Sequence, residues 1–168
     1  MDKAKVLDAL RTERAEWDGV LEQVGEERMM QPGVEGDWTV KDIIAHVTWY
    51  EREMVQVFRN RALIGSDLWN LPTPERNAAI FEQEHERPLA EVLAESRQVY
   101  RELIEAIEPL SDEDLSDPHR FADMPDEWVP WQVLASNSWE HYPDHVATIR
   151  AWLEKSKNQT TKAPRHEG

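Results

Sequence analysis

The stretch Gly36-Asp37-Trp38-Thr39-Val40-Lys41-Asp42-Ile43-Ile44-Ala45-His46-Val47 decides the fold. Thr39 is a good N-cap. Asp42 stands three residues on, where a capping box places its acid, although Glu or Gln is the usual occupant. From there Val40, Ile43, Val47, Tyr50, Met54, Val57 and Phe58 recur at helical spacing and mark one face of a long helix. His46 lies on the edge of that stripe, between Ile43 and Tyr50. It reads equally as a histidine flanking the core and as an inward-pointing ligand.

Toward the N-terminus, Val6, Leu7, Leu10, Trp17, Val20, Leu21 and Val24 predict a first helix from about Asp2 to Val24, ended by Gly25 and the loop Met29–Gly33. Toward the C-terminus, Leu63 to Pro74 is a break. Thr73 caps, and Pro74 opens, a short polar helix reaching about Glu86. Pro88 opens the third long helix, with Leu89, Val92, Leu93, Val99, Leu103 and Ile107 facing in, and Pro109 ends it. Ser111 to Asp114 reads as a capped short turn, and Ser116 to Pro125 as loop. The last helix is expected from Pro130 to about Lys155, with Leu134, Ser138, His141, Tyr142, His145, Ile149 and Trp152 inward. Four long amphipathic segments without strand-like alternation predict an all-α, antiparallel four-helix bundle with a long connection between helices two and three. One domain is expected over residues 1–155. The polar tail, 156–168, reads as disordered, which removes His166 from any site. His85, among Glu82, Glu84 and Glu86, reads as solvated, and His119 as a loop residue.

Composition excludes some functions. The chain has 168 residues, 40% of them hydrophobic, and a formal charge of −15 from 34 acidic and 19 basic side chains. That balance argues against nucleic acid and against anionic membrane surfaces. The acids are spread along the chain, as a well-solvated surface requires. Without cysteine there is no disulfide, thiolate ligand or cysteine nucleophile, so any thiol in the chemistry arrives as a small molecule. The N-terminus has no apolar targeting core, and no run approaches 18 apolar residues, so a soluble cytoplasmic protein is expected.

The last helix carries His141 and His145. Residues four apart project from one helical face, and two imidazoles so placed can hold one ion at ~2.0–2.1 Å. Partly buried bundle histidines would show the same spacing. Pro143 falls between them; in a helix interior it would cost ~3 kcal/mol and bend or break the helix. The openings of helices two and four echo one another at a constant offset. Asp37-Trp38-Thr39-Val40 matches Glu127-Trp128-Val129-Pro130, and Trp49 matches Trp139. Two related helix pairs about a pseudo-twofold axis would explain this, with Trp38 and Trp128 as a matched lid. His46 then lies about two turns into its helix and His141 about three, so the three rings could converge near one level.

The segments WTVKDIIAHVTWYE (38–51) and EHYPDHVATI (140–149) resemble the DinB-like superfamily of four-helix bundles. The resemblance implies His46, His141 and His145 as ligands of a divalent ion, often zinc or nickel, with water at open positions. It also implies relatives that are thiol-dependent transferases or isomerases using an external low-molecular-weight thiol. The segments around Trp69-Asn70, Glu75–Ala78, Pro88–Leu93 and Leu110–Leu115 resemble the ClbS/DfsB branch, which includes a resistance protein acting on a reactive natural product and need not keep the triad. Three readings follow. The first is a metal-dependent transferase or hydrolase of small electrophiles, with Glu51, Glu140 or Asp144 behind the rings or as a base, and Tyr50 toward substrate. The second is a metal-independent resistance protein with a pocket walled by Trp49, Trp69, Trp128 and Trp139. The third is a non-catalytic bundle associating as a homodimer.

Overall fold

The capping box at Thr39 is formed. Thr39 is extended (φ −90°, ψ 167°), its side-chain oxygen accepts from the Asp42 amide, and Asp42 accepts from the Thr39 amide at 2.9 Å. Aspartate serves here because its carboxylate also receives the Thr39 hydroxyl, at 2.9 Å. The helix it starts, α2 (Val40–Asn60), is buried well beyond one stripe, with Lys41, His46, Thr48, Glu51 and Glu53 joining its apolar residues inside. It is the central element of the molecule. It ends at Arg61, in the left-handed region (φ 49°), whose guanidinium pairs with Asp114 at 2.7 and 3.1 Å.

Around it stand α1 (Lys3–Val24), α4 (Leu89–Ile107) and α6 (Tyr142–Thr161), with α2 packed chiefly on α4 and α1 on α6. α1 buries Val6, Leu10, Trp17, Val20 and Val24, the spacing read from sequence. Each fully buried Leu or Ile in this core stabilises the fold by roughly 1.5–3 kcal/mol. The connection between α2 and α4 contains a single 3-10 turn (Asp67–Asn70) and α3 (Thr73–Glu84). It lies over Trp49 and Tyr50, which form a second small apolar cluster with Ile80, Leu68 and Trp69. Two polar ties hold it down: buried Lys41 donates to the carbonyls of His85 and Arg87, and Arg52 and Arg87 both pair with Glu84 and Glu95.

The computed structural model describes residues 1–161, and among these there are six α-helices and no strand. It corrects the sequence reading of the last helix. Pro130–Ser136 is a separate short helix, α5, and the chain turns through residues 137–141 before α6 begins at Tyr142. Pro143 is therefore the second residue of α6, where no helical amide bond is expected, and the cost of an interior proline does not arise. α6 also runs to Thr161, past Lys155; the remainder of the expected tail, with His166, lies outside the described residues. No helix among the described residues is long and apolar enough to cross a membrane.

Candidate metal centre

His46 sits on α2, His141 ends the turn before α6, and His145 lies in the first turn of α6. Their rings converge. Nε2 of His141 is 3.1 Å from Nε2 of His46 and 3.0 Å from Nε2 of His145, and the three ring centroids stand 4.8–5.1 Å apart. Nitrogens bound to one ion at ~2.0–2.1 Å would be roughly 2.9 Å apart at right angles and about 3.4 Å apart in a tetrahedron. The two spacings about His141 fall between these limits, all three ligand nitrogens lie within 4.8 Å of one another, and the triad can hold a metal ion.

Electrostatics favours the neutral ligand form. Burial lowers the pKa of His46 to about 3, with repulsion from His141 and His145 adding to it. His141 is brought to about 4 by burial and by His145, and His145 to about 4 by burial. Near pH 7 all three are uncharged. The Nε2 of His141 faces two other ring nitrogens but has either one lone pair or one proton, so it cannot make two well-formed hydrogen bonds. A cation accepts all three lone pairs. The Nδ1 atoms of His46 and His141 are buried without a protein partner.

The residues around the triad were only partly anticipated. Glu35, not singled out from sequence, reaches 3.7 Å from Nδ1 of His145. It is delivered by a tight loop in which Val34 N donates to Trp38 O and Trp38 N to Glu35 O, both at 3.0 Å, with Gly33 and Gly36 at positive φ. The same loop sets Trp38 edge-on to His46 at 5.5 Å and stacked on Phe81 at 5.3 Å. Trp38 therefore forms no lid with Trp128, which is 41% exposed and lines a different cavity. Tyr50 lies 5.1 Å from both His46 and His141, but its hydroxyl donates to Asn77 at 2.8 Å.

Glu51 does not stand behind a histidine. It is fully buried, accepts the Tyr142 hydroxyl, and lies 3.7 Å from Arg14. Burial raises its carboxyl to about 7, against the pull of Arg14 and of the Tyr142 hydrogen bond. Tyr50 and His141 face the centre, while their chain neighbours Glu51 and Tyr142 meet in this second buried network. The network thus ties α2 to the start of α6. Glu140 and Asp144 are exposed. Of the tryptophans, Trp49 and Trp139 are buried in the interior, whereas Trp69 and Trp128 line a cavity. His85 is exposed as expected, yet its Nδ1 is 3.0 Å from Asp42.

A sequence profile of the DinB superfamily matches residues 9–149. Among solved structures, an uncharacterised protein of Escherichia coli UTI89 superposes with a TM-score of 0.74 at 17% identity, covering 93% of this chain and 95% of that one. A protein described as sibling lethal factor precursor, DfsB, gives 0.74 at 19% identity over 93% and 97% of the two chains. A Streptococcus pneumoniae protein gives 0.75 at 18% identity over 92% and 91%. These likenesses are of fold. No curated protein sequence matches the chain.

Proposed function

This chain belongs to the DinB superfamily, and from that premise we propose that it is a divalent-metal protein, zinc or nickel in type, that transfers a small external thiol, or water, to small electrophiles. The convergence of three neutral imidazole nitrogens carries this reading. An N3 donor set suits zinc, nickel, copper or iron. A divalent ion held by three imidazoles with an open position acts as a Lewis acid and lowers the pKa of a bound thiol or water toward neutrality.

The chain's own residues have separable tasks in this reading. His46, His141 and His145 hold the ion through Nε2. Glu35 places a carboxylate 3.7 Å from Nδ1 of His145, where its charge favours the tautomer that carries the proton on Nδ1 and leaves Nε2 free to bind. Trp38 and Tyr50 pack against the rings and exclude water from that side. With no cysteine in the chain, the thiol comes from solution. The test is elemental analysis of purified protein after reconstitution with zinc or nickel. One ion per chain in the wild type and none in His141→Ala is expected. Absence of metal from the reconstituted wild type would overturn the proposal.

A further inference from the structure

A cavity of about 540 Å³ opens beside the C-terminal half of α2, and no histidine lines it. Its volume is that of a small-molecule site. Met54, Val57 and Leu63 give it an apolar floor, and Trp69 and Trp128 give it aromatic walls. We propose that it binds a planar aromatic carboxylate, with Arg76 as the anion anchor. The inference does not depend on the metal reading.

Three observations carry it. First, the wall is built in advance. One buried carboxylate oxygen, Oε2 of Glu53, accepts both the Ser66 amide at 2.7 Å and the Trp69 indole N–H at 2.8 Å. A Cβ on Gly65 would stand 2.4 Å from that oxygen and 2.9 Å from the Trp69 ring, so the backbone passes as closely as glycine permits.

Second, the cation is oriented and lacks an acidic partner. Arg76 lies 4.6 Å over the Trp69 ring and donates to the carbonyls of Leu68 at 3.2 Å and Leu71 at 2.9 Å. It forms no ion pair with a carboxylate among the described residues, in a chain of net charge −15 where Arg52, Arg61, Arg87 and Arg120 all do. An arginine held over an aromatic ring with donor capacity to spare is suited to a carboxylate. Asp67 also lines the cavity, but it is exposed and solvated. Third, Trp128 lines this cavity and a neighbouring one and is 41% exposed, so its ring is not covered by the chain's own side chains and an aromatic ligand can pack on it.

The test is calorimetric titration of the full-length protein with 2-naphthoate, 2-naphthalenemethanol and 2-naphthylmethylammonium. One molecule of naphthoate should bind per chain, about ten-fold tighter than the alcohol, as a charge-assisted contact implies. The ammonium should bind least, and EDTA should change nothing. Arg76→Gln should lower naphthoate affinity about ten-fold and leave the alcohol within about two-fold. Val133→Trp, which fills the cavity, should abolish both. Equal affinity for acid and alcohol, preference for the ammonium, absence of naphthoate binding, or its loss with EDTA would overturn the proposal. Because Arg76 also braces Leu68 and Leu71, the wild-type ligand ranking decides the matter if Arg76→Gln does not fold.

Discussion

His141 and His145 bring their Nε2 atoms to 3.0 Å although α6 begins between them. His141 is the residue before the helix and His145 is its fourth, so the four-residue spacing keeps its reach across a helix start. Pro143 occupies the second helical position, where its missing amide leaves no bond unmade. Pro143→Ala should therefore change stability by less than about 1 kcal/mol, through unfolded-state entropy, against ~3 kcal/mol for a helix interior. Urea unfolding at neutral pH measures the difference.

The metal-free protein should lose stability as pH falls from 6.5 to about 4. Each histidine is protonated near 6.5 when unfolded but only near 3 or 4 when folded. The unfolded chain thus takes up more protons in that window and gains ~1.4 kcal/mol per net proton per pH unit. Glu51 opposes this. Its carboxyl is raised to about 7 in the fold, so its contribution is present below 4.5 and lost as pH rises through 7. Three histidine protons outweigh one carboxyl proton. Urea midpoints between pH 4 and 7 should fall toward acid, and Glu51→Gln should steepen the fall. A flat profile would contradict the burial of the triad.

Thr39→Ala should cost about 1 kcal/mol, the usual value of an N-cap. It removes the acceptor for the Asp42 amide and one donor to the Asp42 carboxylate. Thermal unfolding reads this directly, and Thr39→Ser should restore most of it.

Gly65→Ala should destabilise by roughly 1–3 kcal/mol, as expected for an added carbon with no room. The new Cβ would push Oε2 of Glu53 and the Trp69 ring apart, so the loss should be accompanied by a change in near-ultraviolet circular dichroism.

Much of this was legible in the chain because the deciding signals are local. The apolar period of α1, α2 and α4, the Thr39–Asp42 box and Pro74 at a helix start each span a few residues and need no tertiary context. The triad was legible too, since the pair at 141 and 145 points to a third imidazole and the DinB-like segments supply His46. What escaped depends on contacts remote in sequence. Glu35 lies in an aperiodic loop, marked only by the glycines at 33 and 36, and meets a residue 110 positions later. Glu51 was one of the carboxylates expected behind the rings or as a base, but a helix turns ~100° per residue, and Arg14 and Tyr142 lie on its side of α2. The break at residues 137–141 was hidden by an inward stripe that continues across it. Pro143 marked the break, since proline is better tolerated in a first turn than inside a helix.

The proposed chemistry requires one ion to meet three rings. The most direct measurement is an anomalous difference map from crystals grown with zinc or nickel, collected on both sides of the metal absorption edge. A single peak is expected between α2 and the start of α6, ~2.0–2.1 Å from Nε2 of His46, His141 and His145. No peak there, or one bonded to only two of the rings, would contradict it.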